Sequence, residues 1–176
     1  MSIFEDTAPR AVRHEPLRVA ILGASGSVGM QTLDVCRHFP QKVEVVALAV
    51  RSSVEFAVKA ATEFNCKYVA FADASVKGNA LLDSLPQGCK ASFGPEAVQA
   101  LAELDVVDCV VNAVVGEAGI YAGLAAVKAG KVLAYANKES IVVGGDLLMP
   151  LVKPGQLIPV DSEHSAIFQC LIGENP

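Results

Sequence analysis

Short apolar runs rich in β-branched residues recur along this 176-residue chain, and several are continuously apolar instead of alternating with polar residues. A strand that is covered by helices on both faces has this composition, because neither of its faces meets water. Six runs predict strands: LRVAILG (17–23), VEVVALAV (43–50), KYVAFA (67–72), VVDCVVNAV (106–114), KVLAYA (131–136) and QLIPV (156–160). The runs therefore favour a mostly parallel sheet.

Segments with helical signals lie between the predicted strands. Ser52 stands three residues before Glu55, which is the spacing of an N-terminal capping box. Pro95 occupies a first-turn position, and Gly130 is placed to end a helix. In SVGMQTLDVCRHF, five residues fall on one stripe of a helix: Val28, Thr32, Val35, Cys36 and Phe39. The alternation predicts an α/β fold, a Rossmann-like doubly wound sheet with helices on both faces.

The composition argues against two classes of partner. The net charge is −5 and the Lys and Arg residues form no cluster, so nucleic acid is not an expected partner. No apolar run approaches the roughly 20 residues of a membrane-spanning helix, so we expect no membrane association. Five cysteines lack the spacing of a metal finger or a redox motif: Cys36, Cys66, Cys89, Cys109 and Cys170. Most of them lie in apolar runs, which predicts core thiols in a reducing cytoplasm.

Glycines follow the first predicted strand in ILGASGSVG, where Gly23, Gly26 and Gly29 form the pattern G-x-x-G-x-x-G. This is a variant of the dinucleotide-binding turn. Gly23 permits a tight turn, Gly26 lets the backbone approach a pyrophosphate, and Gly29 lets the helix pack closely on the strand. The N-terminus of that helix then presents N–H groups to the phosphates. The alternative is an ordinary glycine-rich turn.

The end of the second predicted strand favours NADP over NAD. An NAD site usually has Asp or Glu there to hold the ribose hydroxyls. Here the strand ends in LAVRSS, and Arg51, Ser52 and Ser53 occupy the position instead. An arginine with neighbouring hydroxyls suits a 2′-phosphate. The alternative is a solvated arginine beside a helix cap.

Polar residues also follow the later strands. Asn137, Lys138, Glu139 and Ser140 come directly after the apolar run KVLAYA. Ligands of open α/β sheets bind at the carboxyl ends of the strands, so Lys138 should project into that crevice and bind a phosphate or a carbonyl oxygen. The alternative is a charge pair with Glu139 at a helix start. In NAVVGEAGI, two glycines at 116 and 119 would allow close approach of a ligand.

Three ionisable residues follow the last predicted strand in PVDSEH. On an extended segment Asp161 and Glu163 share a face and could form an acid/base pair or bind Mg²⁺ or Mn²⁺. His164 would support that site or cap the next helix. The alternative is purely structural, with Asp161 or Ser162 as the N-cap of SEHSAIFQCL and Glu163 in its first turn.

The motifs GASGSVG, ANKES and PVDSEHSAIFQ, in this order, resemble the 1-deoxy-D-xylulose-5-phosphate reductoisomerase family from about Leu17 to the end of the chain. DSEHSAIFQ is the most specific of the three. The resemblance implies an oxidoreductase of the methylerythritol phosphate route to isoprenoids. Members use NADPH with Mg²⁺ or Mn²⁺ to convert 1-deoxy-D-xylulose 5-phosphate, a phosphorylated sugar, to 2-C-methyl-D-erythritol 4-phosphate.

The resemblance also implies roles for individual residues. Together with the turn at Gly23, four residues would hold the cofactor phosphates: Ser25, Gly26, Ser27 and Val28. Arg51 and Ser52 would lie at the adenosine end, although Val50 stands where many members have a smaller or polar residue. Asn137 and Glu139 match positions that contact the cofactor. Asp161 and Glu163 match metal ligands, and the expected catalytic residues Lys138 and Glu163 bind substrate together with Ser162.

Members of the family are longer than this chain, which sets the expected domain organisation. Residues 1–15 mix both charge signs with proline and predict a flexible tail without the pattern of a signal peptide. Residues 16–150 would form the NADP(H)-binding domain, and residues 151–176 would begin the catalytic domain. We therefore expect NADPH binding without turnover. Full-length members are homodimers formed largely through the central domain, which leaves a monomer open here.

Two other functions remain open from the sequence. Homoserine dehydrogenases also combine an N-terminal glycine turn with an ANK element, but they do not call for DSEH after the next strand. A non-catalytic NADP-binding regulator is the second alternative. Such a self-contained module should end on a closed element and not shortly after two carboxylates of the kind that bind metals.

Overall fold

The computed structural model describes residues 16–116 and 118–172, so the predicted tail at residues 1–15 lies outside the described residues. Within these ranges the strands are β1 (Leu17–Leu22), β2 (Val43–Val50), β3 (Tyr68–Phe71), β4 (Lys90–Phe93), β5 (Cys109–Asn112), β6 (Val132–Tyr135) and β7 (Leu157–Pro159). The helices are α1 (Ser27–His38), α2 (Val54–Phe64), α3 (Pro95–Glu103), α4 (Ala118–Lys128), α5 (Lys138–Leu148) and α6 (Ser162–Leu171). Short 3₁₀ helices cover Ala74–Val76, Ala80–Ser84 and Met149–Leu151.

The seven strands form one sheet in the order β4-β3-β2-β1-β5-β6-β7, and every pair of neighbours is parallel. The chain runs outward from β1 to β4, then returns to the other side of β1 with β5. This reversal is the switch point of a doubly wound sheet, where ligands bind outside the carboxyl ends of the strands. The predicted fold class is therefore confirmed. Because all the strands are parallel, their carboxyl ends lie along one side of the sheet, which is called the carboxyl edge below.

Two apolar layers cover the sheet, one on each face. Val19 and Ile21 of β1 pack with buried residues of α1 and α2 on one face. Ala20 and Leu22 point to the other face, where they pack with buried residues of α3, α4 and α5. The continuously apolar strands are explained by this double coverage. In the described residues no helix is long and apolar enough to cross a membrane.

Each of the six predicted runs contains one observed strand, but β4 was not predicted. This strand lies at the edge of the sheet, and its sequence KASF combines an exposed Lys90 with three half-buried residues. An edge strand has fewer neighbours to bury it, so its sequence is more polar than that of a central strand. β7 continues the same sheet beside β6, beyond the domain boundary that was predicted at 150.

Two helix predictions were wrong in detail. The buried residues of α1 are Gly29, Leu33 and Cys36, whereas Val35 and Phe39 of the predicted stripe are 53% and 51% exposed. Gly29 packs against the preceding turn and therefore lies on the buried side of the helix.

The predicted capping box of α2 does not form either. Its N-cap is Ser53, whose side chain makes no capping hydrogen bond. Glu55 instead binds Lys59, one turn further along the helix. The other two end signals are confirmed, because Pro95 begins α3 and Gly130 follows α4 with φ +73°.

Candidate functional site

The glycine turn between β1 and α1 is held by backbone contacts to the two strands that flank β1. The N–H groups of Gly23 and Ala24 both donate to the carbonyl oxygen of Ala49, at 3.0 and 2.9 Å. Gly23 has φ +83°, and a Cβ atom on it would lie 2.5 Å from the carbonyl oxygen of Ala113. Only glycine satisfies both conditions, so the tight turn at this position is required by its surroundings.

The other two glycines differ in what surrounds them. A Cβ atom on Gly29 would lie 2.4 Å from the carbonyl oxygen of Gly23, so α1 touches the turn directly. A Cβ atom on Gly26 would meet the same oxygen at 3.3 Å and nothing nearer, and Gly26 is exposed. Gly26 is the N-cap of α1, and the next N–H groups have no acceptor within the helix. This open, N–H-lined surface fits a pyrophosphate.

The remaining predicted cofactor residues lie around this surface. Ser25 and Val28 are half-buried and Ser27 is exposed, all within the turn or the first turn of α1. Arg51 and Ser52 are exposed after β2, the strand next to β1. Val50, which departs from the family pattern, is 2% exposed and packs in the core, so its side chain does not line the surface around Arg51.

Asn137 connects the ends of β5 and β6. Its side-chain amide donates to the carbonyl oxygens of Val114 at 2.6 Å and Gly116 at 3.0 Å. Its Oδ1 accepts from the N–H of Ser140 at 3.2 Å and thereby caps α5. Gly119 makes room for it, since a Cβ atom there would lie 2.9 Å from the amide nitrogen. The side chain of Asn137 therefore fixes the loop after β5, and its contact with a cofactor stays a prediction.

Two buried residues beneath this loop, Asn112 and Ser140, have no individual role in the sequence-based predictions. Asn112 is fully buried at the end of β5, and its amide donates to the carbonyl oxygen of Gly119 at 2.7 Å. Ser140 donates to the carbonyl oxygen of Asn137 at 2.9 Å and is hydrogen-bonded to the hydroxyl of Tyr135. Burial raises the pKa of Tyr135, and the bond to Ser140 partly offsets this rise. The sequence signal for Asn112 was its position as the single polar residue at the end of the apolar run CVVN.

Asp161 is the N-cap of α6, as the structural alternative proposed. Its Oδ1 accepts from the backbone N–H of His164 at 2.9 Å and lies 2.8 Å from Nδ1 of the same residue. Glu163 is already within α6, so the assumption of an extended segment with both carboxylates on one face was wrong. Partial burial opposes the negative charge of Asp161, but the bonds from His164 and the charge of Lys138 outweigh it and lower its pKa.

Lys138 and Glu163 bring the ANKES and DSEH motifs together. Nζ of Lys138 lies 3.3 Å from Oε1 of Glu163, and not beside the exposed Glu139 as in the alternative interpretation. Oε2 of Glu163 accepts from the hydroxyl of Ser162 at 2.9 Å. Its own backbone N–H, then Ser162 and Lys138, lower the pKa of Glu163. The corner thus holds two ionised carboxylates around one lysine.

This corner fits a metal ion only in part. Carboxylate oxygens suit Mg²⁺ and Mn²⁺. Among residues 16–116 and 118–172, however, no group of three or more His, Cys, Asp or Glu side chains is arranged to hold a metal. Asp161 and Glu163 therefore offer two ligands at most.

Three of the five cysteines lie in the core, whereas Cys89 is half-buried and Cys170 is exposed on α6. Cys36, Cys66 and Cys109 are buried, and burial raises their pKa values to about 11, about 12 and about 12. Thiols with such pKa values are protonated at neutral pH and poorly nucleophilic. For these three residues the prediction of core thiols is confirmed.

Sequence comparisons relate the chain to one family. A profile of the family described as 1-deoxy-D-xylulose 5-phosphate reductoisomerase matches residues 19–145. A curated protein of that name from Thermoanaerobacter sp. (strain X514) is 43% identical over 160 residues, which cover 90% of this chain and 41% of the relative. Another, from Photorhabdus laumondii, is 44% identical over 159 residues, covering 88% and 40%. The chain therefore spans about two fifths of the length of these relatives.

Structure comparisons agree with the sequence. The reductoisomerase from Zymomonas mobilis in complex with NADPH matches with a TM-score of 0.81 and 39% identity, over 88% of this chain and 41% of that one. A reductoisomerase in complex with NADPH, fosmidomycin and magnesium matches with a TM-score of 0.79 and 37% identity, over 88% and 38%.

Proposed function

Because this chain belongs to the 1-deoxy-D-xylulose 5-phosphate reductoisomerase family, we propose that it is the NADPH-binding part of an enzyme that converts 1-deoxy-D-xylulose 5-phosphate to 2-C-methyl-D-erythritol 4-phosphate. In this proposal residues 16–150 form the NADPH-binding domain and residues 151–176 begin the catalytic domain.

NADPH would bind across the switch point beside β1. The exposed Gly26 and the first turn of α1 would hold the pyrophosphate, together with Ser25, Ser27 and Val28. The exposed Arg51 and Ser52 would take the 2′-phosphate at the end of β2. When bound, NADPH would supply the hydride that reduces the aldehyde formed by rearrangement of the substrate skeleton. The nicotinamide end would then reach the loop after β5, whose position Asn137 fixes.

The single observation that carries the proposal is the 3.3 Å contact between Lys138 and Glu163. It joins two motifs that are 25 residues apart in the chain at the edge of the sheet that also carries the glycine turn. Lys138 would bind an anionic or carbonyl oxygen of the phosphorylated sugar, with Ser162 and Glu163 beside it. Because the pKa of Glu163 is lowered, its carboxylate is charged at neutral pH and can accept a hydrogen bond from a hydroxyl group of the substrate.

A divalent metal would be held by Asp161 and Glu163, where it would polarise the oxygens of the substrate. The described residues supply two carboxylates, and a catalytic metal site needs a fixed constellation of ligands around the substrate. We therefore expect the 176-residue chain to bind NADPH without converting the substrate.

The test is calorimetric titration of the purified chain with NADPH and with NADH, each with and without Mn²⁺. We expect NADPH to bind more tightly than NADH and the difference to be independent of Mn²⁺. Arg51→Ala should abolish the preference while leaving NADH binding unchanged. Failure of both cofactors to bind would contradict the proposal, and NADPH oxidation on adding 1-deoxy-D-xylulose 5-phosphate would contradict the expected lack of turnover.

A further inference from the structure

The ends of β2 and β3 meet at the place where the proposed function puts the 2′-phosphate of NADPH. Val50 and Phe71 are paired in the sheet. Directly after this pair, the N–H of Ala72 donates to the carbonyl oxygen of Val50 at 3.0 Å. The N–H of Asp73 donates to the carbonyl oxygen of Arg51 at 2.9 Å. Parallel neighbours in a sheet lie about 4.8 Å apart, so Arg51 and Asp73 emerge side by side at its edge.

Local hydrogen bonds fix the carboxylate of Asp73. Its Oδ1 accepts from the N–H of Ser75 at 2.9 Å and so caps the 3₁₀ helix Ala74–Val76. The hydroxyl and the N–H of Ser75 lower the pKa of Asp73, and the positive charge of Arg51 lowers it further. Asp73 is therefore negatively charged at neutral pH, and the charge of Arg51 acts on its carboxylate.

The carboxylate four residues after Arg51 in the chain is already paired with a lysine. Glu55, in the first turn of α2, lies 2.7 Å from Nζ of Lys59. In the part of the chain that the structure describes, no ion pair within 4.0 Å includes Arg51 or Asp73. The guanidinium group of Arg51 is thus exposed and not locked to Asp73, while the fixed carboxylate stands beside it.

We propose that Asp73 is a specificity-determining residue, whose charge opposes binding of the 2′-phosphate beside Arg51 and so limits the preference for NADPH over NADH. This inference rests on the proposed function. A phosphate monoester carries a charge of about −1.5 to −2 at neutral pH, so it interacts with a nearby carboxylate more strongly than a ribose hydroxyl does. Across exposed, solvent-screened distances one such charge changes affinity by about threefold to tenfold at low salt.

The test replaces the charge and keeps the cap. Asp73→Asn retains an oxygen that can accept from Ser75, so the turn should be preserved. Asp105→Asn is the matched control. Asp105 is exposed in the turn before β5, so it lies at the amino ends of the strands, opposite to the carboxyl ends where Asp73 lies. Each variant is titrated with NADPH, NADH and adenosine 2′-monophosphate at about 20 mM and about 500 mM salt, where screening lengths differ several-fold.

We expect Asp73→Asn to bind NADPH and adenosine 2′-monophosphate about threefold to tenfold more tightly at low salt, with NADH unchanged and a smaller gain at high salt. Asp105→Asn should behave as the unmodified chain. Unchanged NADPH affinity in Asp73→Asn overturns the inference, as does an equal gain for NADH. Weaker NADPH binding also overturns it and would show that Asp73 holds Arg51 in place. If the unmodified chain binds neither cofactor, the proposed function fails first.

Discussion

Two corners of the same sheet edge are built in different ways. The glycine turn (residues 23–29) consists of backbone groups in close contact. A Cβ atom added to Gly29 would lie only 2.4 Å from the carbonyl oxygen of Gly23. The acidic corner (residues 161–164) consists of side chains that are hydrogen-bonded to one another and to Lys138. The helix α6, which begins within this corner, has no buried residue. The first corner is fixed by the core beneath it, whereas the second is fixed by a few polar contacts at the surface.

This difference shows how many chain segments each corner needs in order to form. A phosphate site made of N–H groups forms as soon as one strand, one turn and one helix pack together. A metal and substrate site made of side chains needs several segments to converge with correct geometry. Two such segments, ANKES and DSEH, converge here through Lys138 and Glu163. The cofactor corner should therefore be the more robust of the two.

The largest effect is expected at Gly29. Gly29→Ala would force a Cβ atom to within 2.4 Å of the carbonyl oxygen of Gly23 and 2.6 Å of Cα of Ala24. Both are backbone atoms that cannot move alone, so we expect the free energy of unfolding to fall by about 3 kcal/mol. Chemical denaturation measures this loss. The matched variant Gly26→Ala meets its nearest atom at 3.3 Å and should cost less than about 1 kcal/mol while weakening NADPH binding.

If both alanine variants were equally unstable, the contrast between a packed and an open glycine would be wrong. If Gly26→Ala bound NADPH as tightly as the unmodified chain, the pyrophosphate would not lie against that residue. Either result would weaken the distinction between the two corners, because it would remove the evidence that the turn is both tightly packed and open to a ligand.

The next effect is expected at Asn137, which links the loop after β5 to the start of α5. Asn137→Ala removes three hydrogen bonds to backbone groups around a buried side chain, and we expect a loss of about 2 to 3 kcal/mol. Hydrogen exchange should show faster opening of the loop between β5 and α4. Asn79→Ala is the control, because Asn79 caps an exposed 3₁₀ helix with one bond and should cost about 0.5 to 1 kcal/mol. Equal losses would contradict a linking role for Asn137.

A smaller effect separates the structural and metal-binding roles of Asp161. Asp161→Ala loses the cap of α6 and should lower the free energy of unfolding by about 1 kcal/mol, whereas Asp161→Asn keeps a capping oxygen and should lose much less. In a full-length enzyme of this family, both variants should lose the contribution of the Asp161 carboxylate to Mn²⁺ binding. Circular dichroism during urea unfolding measures the first difference, and equal loss in both variants would show that the charge matters more than the cap.

The pH dependence of the same residue has a definite sign. The pKa of Asp161 is lowered in the folded chain, so its ionised form stabilises the fold above the unfolded value of about 3.9. That stabilisation is lost as the pH falls through the lower folded pKa. The stability difference between the unmodified chain and Asp161→Asn should therefore shrink below about pH 4. A difference that stays constant down to pH 2 would contradict this account.

The sequence predicted the parts of this molecule that depend on local pattern. Six of the seven strands, the parallel sheet and the turn at Gly23 follow from apolar runs and glycine spacing, which report burial and backbone geometry directly. The edge strand β4 and the rotation of α1 were missed, because both depend on what packs against them. The contact between Lys138 and Glu163 could not be predicted from spacing, since the fold alone brings residues 138 and 163 together.

The smallest effect is expected for the pair of Lys138 and Glu163 itself. Their side chains are 46% and 62% exposed, and solvent screens such pairs strongly. A double-mutant cycle with Lys138→Ala and Glu163→Ala should give a coupling free energy of no more than about 0.5 kcal/mol, compared with the cycle for Lys59 and Glu55 as a surface reference. A coupling above about 1 kcal/mol would mean that this corner is held as firmly as the glycine turn. A weak coupling means that Lys138 and Glu163 can separate at little cost to admit a substrate between them.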